Sequence, residues 1–203
     1  MTNTINLFFP YYQCGDEDRQ KEIDLCLRKN LENQFINKVF VLIDDGSTVP
    51  LSSDKIKSIH LENRPTYKDW IELSKGLTGF SILCNSDIYF DESIVIAREA
   101  LENNKSFLSL SRWELVNGKT SLRTNPHWSQ DVWGVNCNNE FDQELVASLD
   151  FPMGVPRCDN KIAYLFAIRG WDIKNPCRYL KKPFTHEELA IALDLHTDKK
   201  EVG

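Results

Sequence analysis

Residues Phe80 to Asp91 read FSILCNSDIYFD. Phe80, Ile82, Leu83 and Cys84 form an apolar run of strand length. The break at Asn85-Ser86-Asp87 is polar, and Ile88, Tyr89 and Phe90 follow it. A buried strand that ends in a carboxylate sets a metal ligand at the carboxyl edge of an α/β sheet, where open sheets bind their ligands. Asp87 is therefore either a cation ligand or the cap of a turn. Asp91 has the chemistry of a helix N-cap, with Glu92 in the first turn and Ile94, Ala97 and Leu101 as the buried stripe.

The segments on either side have the same character. Ile5 to Phe9 is a short apolar run stopped by Pro10, which opens into a loop at Tyr11 and Tyr12. Ile23, Leu27 and Leu31, with Cys26 beside them, predict an amphipathic helix over about residues 17–33. Val39 to Ile43 is continuous and β-rich, as in a parallel strand covered on both faces. It ends in Asp44-Asp45-Gly46-Ser47, a turn that again leaves carboxylates at a strand's carboxyl end. Ile56 to Leu61 is a third strand. Thr66 and Asp69 form a capping-box-like pair before Trp70, Leu73 and Leu77, in a helix that ends near Gly79. Phe107 to Leu110 is the next strand. The first 110 residues thus alternate as an α/β fold with a mainly parallel sheet.

Residues 112–158 break this rhythm. They are rich in Trp, Asn, Pro and Gly, and a long irregular aromatic stretch of this kind is usually functional. Trp113, Trp128 and Trp133 are each either core or an aromatic platform for a ligand. A helix resumes at Asp159, with Ile162, Leu165 and Phe166 in helical spacing and Gly170 near its end. Thr185 with Glu188, and Phe184 with Leu189, mark the start of a final helix.

Composition narrows the class. The chain has 203 residues, 41% of them hydrophobic, which suits one domain. Its parts are a ligand-binding half (1–110), an acceptor-side half (111–180) and a C-terminal helix and tail (181–203). The net charge of -6 lacks the basic footprint of a nucleic-acid binder, although Arg178, Lys181 and Lys182 lie close together. None of the six cysteines forms a C-x-x-C, and several lie in apolar runs, which suggests a reducing, cytoplasmic setting. No run is long enough to predict a membrane span, and the N-terminus lacks the features of a signal peptide.

Taken together, the Pro-Tyr-Tyr loop, D-D-G-S (44–47), N-S-D (85–87), S-Q-D-V-W (129–133) and G-V-P-R-C-D-N-K-I-A-Y (154–164) resemble, in this order, a nucleotide-sugar glycosyltransferase of the GT-A type, near the family 2-like group. The resemblance spans roughly residues 5–177. It implies a Rossmann-like GT-A sheet flanked by helices, with an irregular acceptor side. It also implies transfer of a sugar from a nucleoside diphosphate sugar to a hydroxyl acceptor: a glycan, or a modified base in DNA as in some phage enzymes. Asp44 or Asp45 would contact the base or ribose, Tyr11 and Trp133 would line substrate, and Arg64 would reach a phosphate. Asn85 would also contact substrate, and Asp87 with His196 would hold Mg2+ or Mn2+. Asp159 would be the catalytic base, with Asp131 the second candidate. The chain departs from the family pattern in two places. Asn85 replaces the first acid of D-x-D, and Cys158 stands where the family has Glu before Asp159.

Each of these residues also has a plain structural reading. Asp159 would cap its helix, Asp131 would bind loop amides, Asp44 and Asp45 would form a turn, and His196 would be a surface residue, as would His60, His127 and His186. Two other functions fit less well. A nucleotidyltransferase wants a Gly-rich phosphate loop where Pro10-Tyr11-Tyr12-Gln13 stands, and a non-catalytic sugar-binding module would follow from the loss of function at Asn85. The absence of G-x-G-x-x-G disfavours a dinucleotide-dependent oxidoreductase. A receiver domain would carry its acidic pair after the first strand, not the second.

Overall fold

A computed structural model of the chain describes residues 4–116, 119–122 and 129–177. The expected final helix, Trp128, His127, His186, His196 and the basic trio Arg178, Lys181 and Lys182 lie outside the described residues. Element order is β1 (Ile5–Pro10), α1 (Glu17–Glu32), β2 (Lys38–Ile43), β3 (Ile56–His60), α2 (Tyr67–Ser74), β4 (Phe80–Cys84), α3 (Ile94–Glu99), β5 (Ser106–Leu110), β6 (Trp113–Val116), β7 (Lys119–Leu122), β8 (Val132–Asn136), α4 (Gln143–Ser148), α5 (Cys158–Ala167) and β9 (Asp172–Lys174). The alternation expected for the first 110 residues is the one observed.

Strand periodicity divides the core into two layers, because successive side chains point to opposite faces. Ile5, Leu7 and Phe9 of β1, with Phe80, Ile82 and Cys84 of β4, pack under Ile23 and Leu27 of α1 and Ile94 and Ala97 of α3. Phe8 of β1 and Leu83 of β4 turn the other way, toward Trp70 and Ile71 of α2, Leu145 of α4 and Ile162 and Phe166 of α5. Both faces of the central strands are therefore dry, which is why they read as continuous apolar runs. Phe8 stacks on Phe40 with centroids 4.7 Å apart, and the buried Trp70 indole donates to Ser81 Oγ at 2.8 Å.

The seven-stranded sheet has the order β3-β2-β1-β4-β8-β5-β9. β1 pairs in parallel with β2 and β4, β2 with β3, and β5 with β9. β8 runs against both neighbours, with Cys84 opposite Val132 and Leu110 opposite Val132. β6 and β7 form a separate antiparallel pair. The stretch expected to be irregular thus contains three strands and α4. β8 escapes a periodicity reading because all five of its residues are buried and Gly134 interrupts the run. Leu101 and Leu108 press close to where a side chain on Gly134 would be.

Three boundaries move. α2 stops at Ser74, not near Gly79: the Lys75 N–H caps it on Ile71 and Glu72 carbonyls, and Gly76 turns at φ 86°. Gly79 instead packs against the Thr4 backbone so tightly that a Cβ would overlap the Thr4 carbonyl. Asp91 is not the N-cap of α3; it accepts from Ser93 N (2.8 Å) and Oγ, and the helix starts after Ser93. Arg157, in the left-handed region at φ 67°, is the residue before α5, so Asp159 lies one residue inside the helix and is not its cap.

Candidate functional site

In this topology the carboxyl ends of β1, β2, β4 and β5 share one edge, and the reversed β8 brings its amino end to the same place. The loops there carry Tyr11 and Tyr12, Asp44 and Asp45, Asn85 to Asp87, Arg112, and Gln130 with Asp131. Backbone bonds lock the centre: Asn85 N donates to Asp131 O and Asp131 N to Leu110 O, both at 2.9 Å. Ser86 Oγ ties the β4 loop to Pro10 O at 2.7 Å.

Asp131 is the most enclosed carboxylate of the group, with a side chain 8% exposed. Its Oδ1 accepts from Asn85 Nδ2 at 2.8 Å and its Oδ2 from Arg112 Nη1 at 2.9 Å. Burial pushes its pKa upward; Arg112 and the Asn85 amide pull against that, and the charge on Asp87 adds to it. The Asn that replaces an acid in the D-x-D pattern thus contributes a donor: its NH2 group binds Asp131, which a second carboxylate would repel. One residue earlier, Gln130 N donates to Asp159 Oδ2 at 3.3 Å, joining the α5 amino end to β8. Beneath them the buried Tyr67 hydroxyl donates to Cys158 Sγ at 3.3 Å. Burial first, then Cys158, Asp159 and Asp131, raise its pKa.

Asp87 is the second paired carboxylate. Its Oδ2 accepts from Arg19 Nη2 at 3.1 Å, and the two side chains are 34% and 35% exposed. Arg19 also donates to Glu22 Oε2 at 2.6 Å. Burial lowers the Arg19 pKa, but Asp87, the Tyr12 hydroxyl and Glu22 more than reverse it, so the guanidinium is held firmly charged. At the β2 end, Asp45 takes Gln13 N (2.7 Å) on one oxygen and Ser47 N (3.0 Å) on the other. The Gln13 bond, with Ser47, lowers its pKa despite slight desolvation. Asp44, half-buried, sits beside it at the same edge. Arg64 lies across Gly154, where a Cβ would come within 2.6 Å of its Nη2; Gly154 itself has φ 69°.

Asp44, Asp45, Asn85, Asp87, Asp131 and Asp159 are therefore gathered at one sheet edge and the adjoining helix. Tyr11 and Trp133 lie beneath that edge, each 2% exposed. The Tyr11 hydroxyl turns inward to Asp24 Oδ1 at 2.9 Å, and burial with Asp24 raises its pKa. Trp133 packs edge-on against Tyr67 at 5.2 Å. Arg19, Tyr12, Arg112 and Gln130 are not singled out by the sequence. Arg112 was findable, as the first basic residue past the carboxyl end of β5. Arg19 reads as an ordinary surface partner of Glu22.

The resemblance places Mg2+ or Mn2+ on Asp87 and His196. Among the described residues no group of three or more His, Cys, Asp or Glu is arranged to hold a metal ion. Magnesium manages with one or two carboxylates plus substrate phosphates, but both Asp131 oxygens and both Asp45 oxygens already have donors, and Arg19 occupies one oxygen of Asp87. The described donor set does not fit a resident dication.

No protein-family model and no curated protein sequence matches the chain. Solved structures do. The chain is similar to the mannosyltransferase PcManGT from Pyrobaculum calidifontis in complex with GDP-Man and Mn2+, at 13% identity and a TM-score of 0.54, over 85% of this chain and 54% of that one. It is similar to the Francisella tularensis 2-C-methyl-D-erythritol 4-phosphate cytidylyltransferase at 15% identity and 0.52, over 95% and 99%. S. aureus TarS matches at 17% and 0.52, over 85% and 57%. At these identities the likeness establishes the fold: a mostly parallel, Rossmann-like GT-A sheet flanked by helices, as the sequence resemblance implies. No helix among the described residues is long and apolar enough to cross a membrane.

Proposed function

We propose that the chain is a glycosyltransferase that moves one sugar from a nucleoside diphosphate sugar to a hydroxyl group. The observation that carries this reading is the pairing of two unlike carboxylates through Gln130. Asp131 is buried and has donors on both oxygens, whereas Asp159 is half-buried and accepts one long amide bond. Asp159 is the proton acceptor in this reading and Asp131 the group that fixes the edge around it. As the acceptor oxygen bonds to the anomeric carbon, its proton passes to Asp159. The bond from that carbon to the diphosphate oxygen breaks, and its electron pair leaves with the nucleoside diphosphate. A placed carboxylate contributes about 10²–10⁴-fold at such a step.

Asp44, beside the Asp45-braced loop, is assigned to the ribose or base, and Arg64 to a phosphate. The mannosyltransferase neighbour, bound to GDP-Man, supports a nucleotide-sugar donor. The Mg2+ or Mn2+ that the resemblance implies would have to share Asp87 with Arg19, which takes its Oδ2. The acceptor is a glycan hydroxyl in this reading, since a net charge of -6 does not favour a nucleic acid. Six free thiols go with a cytoplasmic location.

A nucleotidyltransferase is the second reading, favoured by the near-complete coverage of the cytidylyltransferase. Sugar-nucleotide turnover separates the two. Wild type should release nucleoside diphosphate from one member of a nucleotide-sugar panel, and Asp159→Asn should cut that rate roughly 10²-fold or more while still binding the donor. Pyrophosphate release from a nucleoside triphosphate instead would move the assignment to nucleotidyl transfer. Binding without any turnover would leave a binding module.

A further inference from the structure

The diphosphate of a nucleotide donor brings about two negative charges to an edge already lined with carboxylates. Some positive charge must meet it. The residue that stands where a cation is expected, on Asp87, is Arg19. We infer that Arg19, held by Asp87 and Glu22, is the diphosphate-binding cation of the site, and that the nucleotide binds without a divalent metal. This rests on the nucleotide-donor reading above.

Asp87 alone would repel a diphosphate; the Arg19–Asp87 pair is neutral, and it turns a like-charged edge into one that carries N–H donors. The loss of one acid at Asn85 and the guanidinium on the remaining acid fit together as one change. Asn85 gives its NH2 to Asp131 and leaves Asp87 as the single carboxylate of the Asn85-Ser86-Asp87 turn to be neutralised. A guanidinium has five N–H donors in a fixed planar fork. Asp87 and Glu22 each take one of them, leaving donors for phosphate oxygens, which suit that fork. The pair is about one-third exposed, open enough for a ligand to reach.

The fold holds the two partners in place from both sides. Arg19 is in the first turn of α1, fixed by the Asp16 cap, whose Oδ1 accepts from Arg19 N at 3.1 Å. Further along the same helix, Asn30 Nδ2 donates to Ile88 O (2.9 Å) and Phe90 N to Asn30 Oδ1 (3.0 Å). Asn33 Nδ2 reaches Phe90 O (2.8 Å) and Asp91 O (3.0 Å). These four bonds clamp the segment after Asp87 to the helix that carries Arg19. Holding the cation ready lowers the ordering cost of binding. A metal that entered at Asp87 would lie beside a like-charged guanidinium the helix keeps there.

The test is calorimetric titration of UDP, GDP, CDP, ADP and the matching nucleoside monophosphates, in EDTA and in Mn2+, against wild type, Arg19→Ala, Arg19→Gln and Asp87→Asn. One diphosphate should bind wild type equally well in EDTA. Arg19→Ala and Arg19→Gln should each weaken it roughly tenfold or more, as expected for loss of a charge-assisted contact, with a smaller change for the monophosphate and unchanged thermal unfolding. Binding to wild type only in Mn2+ would overturn the inference and leave the donor reading standing. So would metal-free binding that both Arg19 variants preserve. No binding of any nucleotide under either condition would overturn both.

Discussion

Two arginine–aspartate pairs stand on the same sheet edge and differ in one respect. Arg112–Asp131 joins a buried carboxylate to an arginine about one-third exposed, with Asn85 closing the other oxygen. Arg19–Asp87 is about one-third exposed on both sides. Charge and distance are nearly the same; solvent access is not. A buried pair is costly to break because the surviving charge is stranded, whereas an exposed pair contributes little to stability and its members stay available to a ligand. One pair builds the edge, and the other serves it.

The largest expected effect attacks the first pair. Arg112→Ala should cost about 3 kcal/mol, the low end for stranding a buried charge, and lower Tm by roughly 6–12 °C. A loss under about 2 °C would abolish the contrast. Gly154→Ala comes next. It forces a side chain into a left-handed position against the Arg64 guanidinium and should cost roughly 1–2 kcal/mol. If Arg64 holds a phosphate, nucleotide affinity should fall with it. Arg19→Ala should change stability by about 0.5 kcal/mol or less in urea, for all its effect on diphosphate binding; a loss as large as that of Arg112→Ala would mean both pairs are structural.

The smallest effects are in pH dependence, and they have opposite signs. The Asp131 pKa is raised in the fold, chiefly by burial. Its contribution is fully present below the ordinary carboxylate value and is lost as pH rises through the folded one. The Asp45 pKa is lowered, chiefly by the Gln13 amide. Its contribution is present above the ordinary value and is lost as pH falls through the folded one. Urea midpoints should therefore show wild type losing ground to Asp131→Asn as pH climbs from the ordinary carboxylate value, and to Asp45→Asn as pH drops below it. Parallel curves for wild type and either variant would remove that carboxylate from the argument.

The elements up to β5 were legible because each is local: an apolar run, a cap, a turn. The acidic loops at 44–47 and 85–87 were legible for the same reason, since carboxyl ends of parallel strands can be counted off in order. β8 was not, because its direction and its neighbours depend on strands some 25 to 50 residues earlier in the chain. Its placement is what brings Asp131 between Asn85 and Arg112. Tyr11 and Tyr12 show the limit at single-residue scale. Tyr11 N bonds to Leu42 O, which continues the strand's alternation by one residue and turns the first tyrosine into the core. The side chain left for the edge is Tyr12, and nothing in the order Pro-Tyr-Tyr distinguishes them.

The reversed β8 also decides when this protein can become a folded body at all. β4 and β5 do not touch each other in the sheet; residues 132–136 lie between them. During synthesis, everything through Leu110 emerges before the strand that joins them, so each presents an unpaired backbone edge flanked by apolar side chains. Such edges invite pairing with other chains, and contacts this distant in sequence form slowly. A fragment ending at Leu110 should accordingly aggregate rather than form a stable half-sheet, although it contains eight of the regular elements. Cooperative folding should begin only once the chain passes Asn136.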